Sequence, residues 1–198
     1  MRKLIVTNIV SLDGYYAGPG ENPMVLPMDH RFDSYNTTRI KAADTLLLGG
    51  TSYRMFSGFW PPMADDPKAT PAHREFAKLE NAIDKVVVSD SITPDDTGAW
   101  RDTTRIVGRK HAHKAIAELK KGPGRDIVMF GSHVLWNDLL AAGLVDELHF
   151  MVGSVVLGEG TTAFVTPPGA TLKLLDTQRW EDSDNVVVRY AATAAKPA

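Results

Sequence analysis

Short apolar runs alternate with longer amphipathic stretches along most of this chain. Residues 2–10 are largely β-branched and apolar, the pattern of a strand buried on both faces. Residues 44–50, 85–89 and 126–132 repeat that pattern, and Thr104–Val107 is a weaker copy. Between these runs, residues 29–42 predict a helix, with Phe32, Tyr35 and Ile40 roughly on one face. Residues 51–56, 71–82, 111–121 and 134–142 predict four more. Pro71 suits a first helical turn, and Gly122-Pro123-Gly124 is a stop signal. Gly14, Gly18, Pro19, Gly20 and Pro23 mark a loop. So do residues 57–70, which hold Trp60-Pro61-Pro62 and Asp65-Asp66-Pro67. Helix signals stop at Gly143. Residues 144–156 predict strand broken at Gly153, and 157–160 a turn. Residues 172–180 and 185–190 predict a terminal antiparallel pair. The expected organisation is one domain over 1–190, with 191–198 as a flexible tail. Strands that alternate with helices and then lose them predict an α/β fold with a mixed sheet.

Composition adds boundaries to this picture. A chain of 198 residues with 43% hydrophobic and 23% charged positions can bury a full core without staples. The net charge of −2 supplies no basic field for nucleic acid and no polybasic membrane patch. No run approaches the ~20 apolar residues of a membrane span, and the basic-apolar start at Met1–Thr7 is too short for a signal peptide. The absence of cysteine excludes disulfides, thiolate metal sites and a cysteine nucleophile. It suits a reducing compartment, so a cytoplasmic protein is expected. His111 and His113 lack a third ligand, so no metal is expected.

Candidate chemistry lies at strand-to-helix corners. Phe130-Gly131-Ser132-His133 follows one apolar strand, and Gly49-Gly50-Thr51-Ser52 follows another. Such corners either cradle a phosphate on free backbone N–H groups or are plain capped glycine turns. Two in one chain suit a ligand with several phosphates. Neither matches the G-x-G-x-x-G or P-loop pattern. Asp13, at the end of the first strand, either orients a substrate amide or bonds its own turn.

Ser11-Leu12-Asp13-Gly14, Leu47-Leu48-Gly49, Val86-Val87-Val88-Ser89, Ile127–Ser132, Gly143–Leu148 and Val155–Gly160 follow one another in an order that resembles the dihydrofolate reductase-like family, which includes the reductase domain of riboflavin biosynthesis. The resemblance covers about residues 2 to 190. It implies a three-layer α-β-α fold around a mixed sheet of about eight strands, with antiparallel C-terminal strands. It implies an oxidoreductase using NADPH, with NADH as the alternative, and a homodimer. Gly49, Gly50, Thr51, Ser52 and Ser89 would lie near the adenosine end, while Gly131, Ser132, His133 and Val134 would hold the pyrophosphate. Asp13 falls in the motif near nicotinamide and substrate.

The chain departs from the family where cofactor charge is read. Gly50 and Asp90 stand where arginines are usual, which weakens the case for NADPH; Arg54, Arg109 and Lys110 are the candidates to compensate. Met129 and Phe130 occupy a stretch where the pyrimidine reductases usually carry glutamate. Leu26-Pro27-Met28-Asp29 resembles the segment bearing the pterin-binding carboxylate, but Asp29 begins a helix and is better read as its acidic cap. Phe56 and Trp60, with Tyr16, either wall a pocket for a flat substrate or are loop aromatics. Asp13, Asp29 and Tyr16 are the candidate proton donors. The expected function is hydride transfer to a small cyclic substrate, pterin- or pyrimidine-like. The competing expectation is a non-catalytic nucleotide-binding or regulatory module on the same fold.

Overall fold

The computed structural model describes residues 1–167 and 169–194. Ten strands and five α-helices build it. They are β1 (Leu4–Ser11), β2 (Tyr15–Ala17), α1 (His30–Ala42), β3 (Ala43–Gly49), α2 (Gly50–Met63), α3 (Pro71–Ala82) and β4 (Asp84–Val88), followed by β5 (Thr104–Val107), α4 (Ala112–Lys121), β6 (Asp126–Phe130), α5 (His133–Ala141), β7 (Glu147–Gly153), β8 (Thr161–Thr162), β9 (Ala170–Trp180) and β10 (Ser183–Ala194).

Eight strands form one sheet in the order β5-β4-β3-β6-β1-β7-β10-β9. The first six run parallel, and β10 and β9 close the edge antiparallel. Helices cover both faces, which explains why the strands read as unbroken apolar runs and not as alternation. Leu4, Val6 and Leu47 pack under α4 and α5 with Ile116, Trp136 and Leu139. Leu46, Leu48 and Val87 point the other way, toward Ile40, Tyr53 and Phe76 of α1, α2 and α3. Ile9 meets Tyr35 and Val187 in a third cluster. Each such leucine contributes roughly 1.5–3 kcal/mol by leaving water.

Four expectations are corrected. The stretch 57–70 is not all loop, because α2 continues to Met63 through Gly58, Pro61 and Pro62. Tyr53, Phe56 and Trp60 recur at helical spacing and pack on the sheet and α3, and the prolines fall in the last turn. Residues 144–146 are a connection and not strand: Gly143 takes φ +67° and closes α5, with its N–H donating to the Leu140 carbonyl. The tail expected from 191 is strand as far as Ala194, because Ala191–Ala194 pair with Ala170–Lys173; residues 195–198 lie outside the described residues. Finally, β2 and β8 form a two-stranded sheet that the sequence pattern did not signal.

Candidate active site

The strand order changes direction around β1: β3 lies on one side of it beyond β6, and β7 lies on the other. Crevices in open α/β sheets form outside the carboxyl ends of strands at such a point. A cleft of about 680 Å³ opens there. Its floor is Gly49 and Gly50 after β3, Val88 at the end of β4, and Ser132 and His133 after β6. Tyr16, Glu21, Thr161, Arg109, Lys110 and His113 are also in its lining.

The two corners are adjacent and tied together. The Ser132 N–H donates to Ser52 Oγ at 2.8 Å, and the Gly49 N–H donates to Ser132 Oγ at 3.0 Å. Asn8 on β1 accepts from the Gly131 N–H at 2.8 Å. Three of the corner amides are therefore held within the chain. Gly131 and Ser132 both take left-handed backbone, φ +58° and +57°. That is unusual for a serine and is held in place by these bonds. A side chain at 131 would also meet Ser52 Oγ at 3.1 Å and the Tyr16 hydroxyl at 3.4 Å. What remains open is the first turn of each helix. Neither α2 nor α5 has a side-chain cap, so their leading N–H groups and positive dipole ends face the cleft.

Tyr16 stacks on His133, with ring centroids 4.8 Å apart. His133 Nε2 lies 2.9 Å from the Thr162 carbonyl and 3.0 Å from that of Ala163. Two acceptors assign the hydrogen to Nε2, and α5 is thereby tied to β8. Burial, then the Glu21 charge, push the Tyr16 phenol up to about 12. At neutral pH it is a hydrogen-bond donor.

The other expected residues fall as follows. Thr51 and Val134 are exposed at the cleft. Ser89 is buried, and its hydroxyl accepts from the N–H groups of Ser91 and Ile92 at 3.1 and 3.2 Å. Asp13 bridges two loops: it accepts from Ser11 Oγ at 2.6 Å and from the Gly158 N–H at 2.7 Å. Those bonds bring its carboxyl down to about 2, so it is an anion and not an acid at neutral pH. Asp29 caps α1 through the Arg31 and Phe32 N–H groups, both at 3.0 Å, and accepts from Ser183 Oγ at 2.5 Å. Burial raises its pKa, but the bonds from Ser183, Phe32, Arg31 and Asn185 outweigh that and hold it low. Neither carboxylate lines this cleft. Phe56 and Trp60 do not wall the cleft either: α2 turns them toward α3, where Trp60 packs on Phe76 at 4.7 Å between centroids. Sequence reading missed Asn8; of the three cations it offered, Arg109 and Lys110 line the cleft and Arg54 does not. The signal for Arg109 and Lys110 was a Gly-Arg-Lys corner between an apolar strand and a helix, a third copy of the same design.

A mixed sheet of this order, with its cleft across the strand ends, defines the dihydrofolate reductase-like class. Dihydrofolate reductase from Enterococcus faecalis, solved with NADP(H), superposes with a TM-score of 0.56 at 16% identity, covering 96% of this chain and 95% of that one. The chain belongs to the RibD C-terminal domain family, whose model matches residues 2–188. A pyrimidine reductase-like protein from Corynebacterium diphtheriae has a TM-score of 0.63 at 14% identity, over 96% and 92% of the two chains. The deaminase/uracil reductase of Thermotoga maritima also reaches 0.63, at 11% identity, with 96% of this chain covering 56% of that longer one. The uncharacterized protein YyaP of Bacillus subtilis is 30% identical over 178 residues, which is 89% of this chain and 88% of YyaP. The family is that of the RibD C-terminal domain, and the fold is the dihydrofolate reductase-like one. No helix among the described residues is long and apolar enough to cross a membrane.

Proposed function

We propose that this protein is an NAD(P)H-dependent reductase of a small cyclic substrate. The observation that carries this reading is the convergence of two helix N-termini, α2 and α5, without side-chain caps, on one cleft. Main-chain N–H groups and dipole ends there suit a diphosphate. The bare backbone at Gly49 and Gly50 allows close approach. Thr51, Ser52, His133 and Val134 would flank the phosphates. Tyr16, stacked on His133, lines the same cleft. When bound, a reduced nicotinamide supplies the hydride. The chain's own task is to hold two flat rings in register, exclude water and offer the Tyr16 hydroxyl as a donor.

Isothermal titration with NADPH and NADH tests the binding half. Saturation with the right dinucleotide at 100 times its dissociation constant raises stability by about 2.7 kcal/mol, visible as a higher melting temperature. Binding of neither at millimolar concentration refutes the reading. Turnover is followed by loss of the near-ultraviolet absorbance of the reduced cofactor across pterins, pyrimidines and carbonyls. For the substrate found, Tyr16→Phe should lower kcat by about 10²-fold with a smaller change in KM.

One observation favours the second reading, a nucleotide-binding module without turnover: Asp13 and Asp29 are both held in structural bonds away from the cleft. Tight dinucleotide binding with no turnover on any of those substrate classes would select it.

A further inference from the structure

We infer that Glu21 sets the charge of the ring reduced here: its carboxylate bars anionic rings, phosphorylated ones included, from the space beside Tyr16 and favours a ring that carries a cationic amino or amidine group. The inference rests on the reductase reading of the cleft and goes beyond it by naming the charge class of the substrate.

Glu21 stands on the loop between β2 and α1 and lines the cleft with Tyr16, Ala17 and Pro23. It is exposed, and among the described residues it forms no ion pair, with Arg109 and Lys110 of the same lining or with any other cation. Asp138, the other acid of the lining, is bonded to His113 Nε2 at 2.7 Å. The Glu21 charge is felt at the Tyr16 phenol, which it helps to hold protonated. The cleft thus sets an unpaired carboxylate, which accepts, near a hydroxyl, which donates.

The backbone is a second, independent observation. Glu21 takes φ +60°, and Gly20 before it takes +68°. Left-handed backbone is ordinary for glycine and uncommon for glutamate, whose Cβ crowds the neighbouring carbonyl. The loop is built to keep it there. The Gly18 N–H donates to the Asn22 carbonyl at 2.9 Å, and Asn22 Oδ1 accepts from the Met24 N–H at 3.0 Å. Pro19 and Pro23 fix φ on either side. Position 21 therefore holds a carboxylate, at a steric cost, where glycine would suit the loop better. A side chain retained against strain in the lining of a cleft points to a task in that cleft.

The task follows from charge. A carboxylate without a cation attracts a cationic substituent through charge-assisted hydrogen bonds. It repels a phosphate or carboxylate in the same place, which would leave two negative charges together.

The test titrates three flat probes of similar size: benzamidine, which is cationic, benzamide, which is neutral, and benzoate, which is anionic. Each is titrated by NMR into the full chain saturated with whichever of NADPH and NADH it binds. The wild type, Glu21→Gln and Glu21→Gly are compared, and circular dichroism melting follows each fold. The wild type should bind benzamidine at least about tenfold tighter than benzoate, with benzamide between, because attraction and repulsion add. Glu21→Gln should shrink that ratio by about tenfold. Glu21→Gly should shrink it as much while the melting temperature stays level or rises, since glycine relieves the left-handed strain. Equal affinities for the two charged probes, a preference for benzoate, or no benzamidine binding at millimolar concentration overturns this inference alone and leaves the dinucleotide reading standing. So does a ratio that Glu21→Gln leaves intact. A clear fall in melting temperature for Glu21→Gly assigns the residue to the fold and overturns the inference as well. A Glu21→Gln variant that weakens the dinucleotide and not benzamidine assigns the carboxylate to the cofactor, with the same result. Binding of no dinucleotide at all removes the parent reading, and this one with it.

Discussion

At the scale of single residues, the site is organised by hydroxyls that serve the backbone. Ser52 and Ser132 pair the two corners, and Asn8 fixes the glycine between them. Ser52→Ala would leave the Ser132 N–H buried without a partner, at a cost of about 1–3 kcal/mol. Urea unfolding should show that loss as a lower midpoint at constant slope, and dinucleotide affinity should fall with it. An unchanged midpoint would show that the seam is not held by this bond. These partners were not legible in the sequence, because they lie 80 or more residues apart. The corners themselves were legible, since a glycine after an apolar strand restricts what can follow. Asp13 and Asp29 were legible in part, as a turn residue and a helix cap. Their types suggested chemistry, while their partners, at Gly158 and Ser183, are visible only in the fold.

At the scale of elements, periodicity placed the parallel strands and the helices that cover them. It failed where a buried stripe overrode local preference, as in α2, whose aromatic face carries the helix past Gly58 and into two prolines. It also failed for β2 and β8, which are too short to show any period. The joint between α1 and β7 gives a prediction of its own. The Tyr35 hydroxyl lies 2.8 Å from His149 Nδ1, and His149 Nε2 lies 2.8 Å from Glu147, with His149 fully buried. Burial brings the imidazole down from 6.5 to about 4, against the pull of Glu147. A lowered histidine pKa favours the neutral form in the folded state. Its contribution is therefore complete above pH 6.5 and lost as pH falls from there toward about 4. Denaturant unfolding across that range should show stability dropping by roughly 2–3 kcal/mol. His149→Gln should flatten that slope, and an equal slope in the variant would assign it elsewhere.

At the scale of the whole molecule, the antiparallel edge completes the sheet. Truncation after Tyr190 removes the pairing of Ala191–Ala194 with β9 and the bond from the Ala192 N–H to the Asp146 carbonyl at 2.8 Å. The shortened chain should lose about 2–4 kcal/mol, at ~1 kcal/mol per bond, and a melting temperature equal to that of the full chain would refute this. The position of β1 has a consequence during synthesis. This strand sits between β6 and β7, and its first residue pairs with Ile127. It leaves the ribosome before both neighbours, which emerge more than a hundred residues later. At roughly 5–20 residues per second, a nascent chain carries Leu4-Ile5-Val6 without a partner for on the order of ten seconds. During that interval this apolar stretch must be kept from other chains, so yield in the cell should depend on chaperone supply as well as on the stability of the finished protein.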